Sequence, residues 1–144
     1  MLMSITPEHV TLVQQSMEKV IPLSDTVASI FYDTLFNIDP SLKALFKHDM
    51  EQQKRKLMVS LDMIVKGLDQ IDMILPAIEK LAIKHVSYGV KPEHYTLVGN
   101  ALLITLQEVL GDDFTPALRA AWIEAFRTLA TAMKNAAYTE TVLA

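Results

Sequence analysis

The sequence predicts an all-α protein, and three of its properties lead to that prediction. Of the 144 residues 51% are hydrophobic, only four are glycine, and apolar residues recur at the three- and four-residue spacing of amphipathic helices. No stretch alternates polar and apolar residues as a half-buried strand would. A chain of this length suits one compact domain, so we expect residues 1–144 to form a single unit of six or seven packed helices.

The composition argues against several functional classes. The formal net charge of -4 argues against a nucleic acid as a partner, since binding a polyanion requires a basic surface. Cysteine is absent, which removes disulfides, thiolate metal sites and thioether-linked cofactors. The N-terminal segment lacks the regions of a signal peptide, and no apolar run is long enough to span a membrane. On these grounds we expect a cytoplasmic location.

Start and stop signals divide the first half of the chain into three helices and a short turn. Side-chain caps, early prolines and terminal glycines mark the boundaries. The predicted elements are a helix from Thr6-Pro7 to Pro22, a helix from Ser24 or Asp25 to about Asn37, a turn from Asp39-Pro40 to Leu45-Phe46, and a helix from about Met50 to Lys66 that Gly67 ends. His48, in the corner before this last helix, is interpreted as a solvated loop residue rather than a ligand.

The second half of the chain carries three further helix patterns. The predicted helices run from Ile74 to Gly89 with Pro76 near the start, from Glu93 to Leu110, and from Thr115-Pro116 towards the C-terminus. Tyr95 and Val98 lie on the inner face of the middle helix, and Trp122 lies on that of the last helix. The chain contains no glycine-rich phosphate loop, no HExxH motif and no acid pair at metal-ligand spacing.

His85 lies on the inner face of the predicted helix 74–89. It follows Leu81 by one helical turn on an apolar stripe, so its imidazole is expected to point towards the core. A buried neutral imidazole can bind a metal through one nitrogen, and its other nitrogen then needs an acceptor such as the Leu81 carbonyl. A hydrogen-bonded core histidine with no ligand is the simpler interpretation of the spacing alone.

Two further polar residues lie on the apolar faces of predicted helices. Tyr32 lies one turn from Ala28 and one turn from Phe36, so it is expected to point inward with a hydroxyl that needs a partner. A tyrosine with its tip at the surface is the alternative. Gln53 lies at the end of a stripe that Leu57 continues, although an ordinary boundary residue would also explain it.

The ordered set of these residues resembles a bacterial single-domain haemoglobin and is similar to the globin domain of flavohaemoglobins. The resemblance extends from about Thr6 to Ala137. The matching pieces are Phe31-Tyr32, Leu35-Phe36, Asp39-Pro40, Leu45-Phe46, Gln53 with Leu57, Lys84-His85, Tyr88-Gly89-Val90, His94-Tyr95 and Ala121-Trp122. Each piece is weak alone, but their order and spacing together are specific, and they favour the ligand interpretation of His85 over the core-histidine one.

The resemblance implies a globin fold around a non-covalent haem b (iron protoporphyrin IX). In that family pattern His85 is the proximal iron ligand, Tyr32 and Gln53 are the distal pair that hydrogen-bonds bound oxygen, and Tyr95 supports the proximal histidine. The remaining expected haem contacts are Phe46 on the haem plane, Leu57 as the apolar distal wall, Lys84 near a propionate, and Val98 with Tyr95 on the following helix.

One residue departs from the pattern of relatives with dioxygenase activity. These relatives carry a glutamate on the last helix that joins a relay with the proximal histidine and tyrosine, and this sequence has Ala137 at that position, with Glu140 nearby. A carboxylate behind the imidazole makes the iron more electron-rich, so its loss would weaken oxygen–oxygen bond chemistry. The flavin and nicotinamide reductase part of flavohaemoglobins is also missing from these residues.

The resemblance therefore implies reversible binding of oxygen, with carbon monoxide and nitric oxide as further ligands. The alternative is an enzyme that converts oxygen and nitric oxide to nitrate with a separate flavin reductase, in which Tyr32, Gln53 and Tyr95 would take part. A sensor is disfavoured because no transmitter segment is evident. A helical bundle without a cofactor is the remaining alternative.

Overall fold

The computed structural model describes residues 5–46 and 49–143, and the side chains from residue 138 onward lie outside that description. Six α-helices account for most of the described chain, which contains no strand. The helices are α1 (Pro7–Val20), α2 (Ser24–Ile38), α3 (Met50–Lys66), α4 (Ile71–Ser87), α5 (His94–Leu110) and α6 (Pro116–Leu143). Short 3₁₀ turns occupy Ile21–Leu23, Pro40–Leu45, Leu68–Gln70 and Gly111–Asp113. The all-α prediction is confirmed.

The first two helix starts differ in how their backbone groups are satisfied. At α1 the Thr6 hydroxyl accepts a hydrogen bond from the His9 amide at 3.1 Å, and the His9 imidazole accepts one from the Thr6 amide at 3.2 Å. The capping prediction for α2 is wrong, because its N-cap is Leu23 and makes no side-chain cap. The Ser24 hydroxyl donates instead to the Ile21 carbonyl, since a 3₁₀ turn joins α1 almost continuously to α2.

Helix α4 begins three residues earlier than the sequence pattern predicts. Pro76 lies inside it rather than in its first turn, since Ile71 is the first helical residue. A proline has no amide hydrogen, so the Asp72 carbonyl loses its helical partner there. The predicted end is confirmed: the helix stops at Ser87, and Gly89 adopts a φ of 93°, which favours glycine over residues with a side chain.

The core consists of two apolar clusters. The larger cluster lies among α1, α2, α3, α5 and α6, and includes Trp122, whose indole donates to the buried Ser16 hydroxyl at 2.9 Å. The smaller cluster joins α4, α5 and α6, because α4 packs mainly against α6. Its buried members are Ile78, Ala82, Tyr95, Ala130 and Met133. Helices α3 and α4 are therefore held by different parts of the core.

Candidate functional site

The predicted distal pair forms a direct side-chain contact between two helices. Tyr32 on α2 is 4% exposed, and the Gln53 amide nitrogen on α3 donates to its hydroxyl oxygen at 3.2 Å. A phenol can accept one hydrogen bond and donate another at the same time. Because Gln53 uses the acceptor capacity of Tyr32, the hydroxyl hydrogen remains available for a second acceptor in the pocket.

The ionisation state of Tyr32 is consistent with a donor role. Burial raises the pKa of the Tyr32 phenol above its ordinary value of 10.0, and the hydrogen bond from Gln53 offsets only part of that shift. The phenol therefore keeps its proton at neutral pH. An ionised tyrosine would have no hydrogen to donate, and the raised pKa extends to higher pH the range over which Tyr32 stays a donor.

Aromatic rings fix the position of Tyr32. Phe31 and Phe46 meet its ring edge-to-face at centroid distances of 5.0 and 5.4 Å, and Phe36 lies tilted against it at 5.9 Å. Phe36 also meets Phe46 edge-to-face at 5.4 Å. Sequence reasoning did not assign Phe36 to the site, although its position one turn after Tyr32 on the same helix is a usable signal. The cluster brings Phe46, which follows the 3₁₀ turn, against the distal pair.

His85 is oriented by its own helix. Its Nδ1 atom lies 2.7 Å from the Leu81 carbonyl oxygen, one turn earlier on α4. A carbonyl can only accept, so Nδ1 carries the hydrogen and the lone pair of Nε2 is left for a metal. The imidazole is half-buried. Within the described part of the chain no three histidine, cysteine, aspartate or glutamate side chains gather as a metal cluster, so a metal here would rely on this single imidazole.

The remaining predicted residues separate into two groups. Leu57 and Val98 are half-buried and pack on the larger cluster that contains Tyr32, whereas Tyr95 is buried in the smaller cluster. Lys84 is exposed near the end of α4. The structure thus brings Tyr32, Gln53 and Phe46 together, and it holds His85 and Lys84 on a helix with separate core contacts. A cavity between α5 and α6 has Tyr95 in its lining but neither His85 nor the distal pair.

Helix α6 contributes a residue that the sequence did not indicate. The Lys134 ammonium lies 5.7 Å from the centre of the Tyr95 ring, a distance typical of a cation–π contact. No sequence signal connects positions so far apart in the chain. Ala137, three residues further, packs half-buried against the same smaller cluster, of which Tyr95 is a buried member. His48 and the Glu140 side chain lie outside the described residues.

These side chains fit a flat, largely apolar cofactor with a ligated metal. The His85 imidazole has its Nδ1 already engaged, so Nε2 is left for a metal, and Tyr32 with Gln53 supplies a neutral hydrogen-bond donor beside aromatic rings. Phe46, Leu57 and Val98 are only half-buried although all are apolar, so they leave hydrophobic surface that such a cofactor would cover. The donor set is therefore compatible with the haem that the resemblance implies.

Comparisons with known proteins agree with this geometry. The family model described as Globin matches residues 29–133. A flavohemoprotein of Bacillus subtilis is 34% identical over 111 residues, and one of Rhodopirellula baltica is 34% identical over 130 residues. The alignments cover 75% and 88% of this chain but only 28% and 32% of those relatives. The chain thus spans about a third of their length.

Two solved structures share the fold over nearly the whole chain. An engineered carbene transferase, made from a Rhodothermus marinus protein provisionally named a nitric oxide dioxygenase, superposes with a TM-score of 0.85 at 29% identity. It covers 97% of this chain and 99% of its own. A bacterial globin from Campylobacter jejuni gives a TM-score of 0.83 at 25% identity, covering 95% of this chain and 99% of its own.

Proposed function

This chain belongs to the globin family, and we propose that it binds oxygen and related diatomic gases reversibly at a non-covalent haem b. When bound, that haem supplies an iron with one coordination position open to a gas ligand. Carbon monoxide and nitric oxide are the other ligands of the same chemistry. The absence of cysteine is consistent with non-covalent attachment, because no thioether can form.

The observation that carries the proposal is the bond between Gln53 and Tyr32. It directs the Tyr32 acceptor lone pair towards Gln53 and leaves the hydroxyl hydrogen as a donor. Oxygen becomes partly negative when it binds a ferrous centre, so a neutral phenol can hold it by a charge-assisted hydrogen bond. Carbon monoxide accepts such a bond weakly. The distal pair therefore favours oxygen through electrostatics rather than through size.

The proximal assignment relies on the orientation of His85. The bond to the Leu81 carbonyl fixes the tautomer, so Nε2 is the nitrogen that would ligate the metal. Phe46, Leu57 and Val98 would exclude water from the two faces of the macrocycle. Lys84 is exposed and could reach a propionate at the rim, while Tyr95 would act on the proximal side through His85.

A second candidate function is nitric oxide dioxygenation. It consumes oxygen, nitric oxide and one electron and gives nitrate, so it requires an external donor such as a separate flavin reductase. The similarity to the Rhodothermus marinus protein favours this candidate. Ala137 weighs against it, because its methyl group cannot supply the carboxylate that would make the His85 imidazole more basic.

The two functions can be separated with haem-reconstituted protein. In the first experiment, reduced protein is exposed to air and then to vacuum, and a visible spectrum follows several cycles. Reversible binding predicts a stable oxygenated spectrum that returns to the deoxygenated one. In the second, nitric oxide consumption and nitrate are measured with a supplied flavin reductase. Rapid catalytic nitrate formation would identify the enzyme, whereas failure to bind haem at all would reject both functions.

A further inference from the structure

A groove of about 460 Å³ lies between α5 and α6 and shares Tyr95, and the Lys134 that lies over its ring, with the site described above. Its floor is apolar and includes Gly99, Leu103, Ile123 and Phe126. A Cβ atom at Gly99 would lie 2.7 Å from the Phe126 ring, so glycine lets that ring approach the α5 backbone. The groove has the volume of a small-molecule site, for which roughly 300–1,000 Å³ is usual.

The charged residues that line the groove are all cations. Arg119, Arg127 and Lys134 line it, and none of its lining residues is acidic. The three cations follow one another at intervals of about two helical turns, so they form a stripe along α6. This is a local excess of positive charge on a chain whose formal net charge is -4. Of the three, Arg127 already holds Glu124 at 3.1 Å, at the exposed edge.

We propose that this groove binds a single-chain amphiphilic carboxylate, with its hydrocarbon tail on the apolar floor and its head group on the α6 cations. The α6 lining extends from Arg119 to Lys134, an axial length of about 22 Å that suits an extended chain. Guanidinium groups match carboxylates through paired hydrogen bonds. Lysine and arginine stems can also cover apolar surface while their charged ends stay in water. The same side chains can therefore contact the hydrocarbon tail of the ligand through their stems and its carboxylate through their charged ends.

A small ligand fits this groove better than a protein partner does. A stable protein interface buries about 800 Å² on each side and extends well beyond one groove. Here the apolar surface is confined between the two helices, and its outer edge carries exposed polar residues such as Thr96 and Asn100. Charge and shape together therefore select a ligand with one long apolar part and one anionic end.

Calorimetric titration of the haem-loaded protein with laurate, below its micelle concentration, tests the proposal. The protein is kept ferrous and saturated with carbon monoxide, so that the gas site is filled. We expect saturable laurate binding, and dodecanol should bind at least about tenfold more weakly because it lacks the anionic end. The combined variant Arg119→Gln, Arg127→Gln and Lys134→Gln should weaken laurate binding by about the same factor, by removing the charge-assisted contacts.

Two further variants separate this groove from other binding. Thr131→Trp places a large ring in the groove from an exposed position and should block laurate without touching the core. Lys80→Gln removes an exposed cation on α4 and should leave the affinity unchanged. The proposal is overturned if wild type does not bind laurate, if dodecanol binds equally well, or if neither groove variant weakens binding. A dimer in sedimentation that the triple variant dissociates, without laurate binding, would instead assign the groove to self-association.

Discussion

The two sides of the candidate haem pocket are built in different ways. On the distal side Tyr32 and Gln53 come from different helices and meet directly, within a group of aromatic rings. On the proximal side His85 is bonded to a carbonyl of its own helix. Helix α4 also contains Pro76 and packs mainly against α6. The distal geometry therefore depends on tertiary packing, whereas the orientation of the proximal imidazole is local.

This difference predicts different consequences for substitutions on the two sides. Changes on the distal side should alter ligand rates in a graded way, since each side chain supplies one hydrogen bond of modest energy. Loss of the proximal ligand should act all-or-none, because the described residues form no cluster of metal-ligating side chains around His85 that would take its place.

Replacement of His85 should have the largest effect. His85→Ala is expected to abolish the five-coordinate, histidine-ligated ferrous spectrum, because it removes the imidazole whose Nδ1 is bonded to the Leu81 carbonyl and whose Nε2 is left for the metal. Resonance Raman spectroscopy of the reduced protein should lose the iron–histidine stretch. His9→Ala is the matched control: it removes one of the two capping-box hydrogen bonds at α1 and should cost about 0.5–1.5 kcal/mol of stability without changing the spectrum. An unchanged ferrous spectrum in His85→Ala would refute the proximal assignment.

Tyr32→Phe should have the next largest effect, on oxygen dissociation. The phenol supplies a hydrogen bond to a partly charged ligand, worth roughly 1.5–3 kcal/mol, so its loss should speed oxygen release about ten- to a hundredfold. Carbon monoxide release should change far less. Phenylalanine keeps the ring and its aromatic contacts, so stability should be nearly unaffected. Stopped-flow displacement of oxygen by carbon monoxide measures the rate; a change within about twofold would exclude Tyr32 as the oxygen donor.

Gln53→Leu should have a smaller effect of the same sign. In this structure Gln53 donates to Tyr32, so it orients the donor and does not replace it. A neutral hydrogen bond contributes about 0.5–1.5 kcal/mol, which corresponds to a two- to tenfold faster oxygen release. The double variant with Tyr32→Phe should be no faster than Tyr32→Phe alone. Additive effects in the double variant would mean that Gln53 contacts oxygen independently.

Ala137→Glu should give the smallest effect. It would add an influence from α6 on the proximal side, where His85 is otherwise oriented by its own helix. We expect a carboxylate at this position, beside the cluster that contains Tyr95, to make the His85 imidazole more basic, so the reduction potential of the bound haem should fall by about 40 mV for an interaction near 1 kcal/mol. Potentiometric titration measures this shift. Asn135→Glu adds the same charge at an exposed position and is the control. Equal shifts in the two variants would show a general charge effect rather than a specific contact.

Several features of the fold and of the candidate site could be predicted from local sequence signals. The apolar periodicity predicted six or seven helices, of which the described chain contains six, and the one-turn separation of His85 from Leu81 predicted a carbonyl within reach of the imidazole, because both depend on neighbours along a single helix. The inward placement of Tyr32 likewise followed from its position relative to Phe36. The predicted Ser24 or Asp25 cap and the predicted start of α4 were wrong: a 3₁₀ turn precedes each helix, and the one before α2 supplies the Ile21 carbonyl as a partner that no residue pattern shows.

The contacts between distant segments were decided by tertiary structure alone. The direction of the Gln53 hydrogen bond, the packing of Phe36 against Phe46, and the position of Lys134 above Tyr95 each require the relative placement of separate segments. The α5–α6 groove depends in the same way on how Phe126 meets Gly99. Helical periodicity specifies which face of a helix is buried, but the angles and distances between helices arise from how their side chains interlock, which no single segment determines.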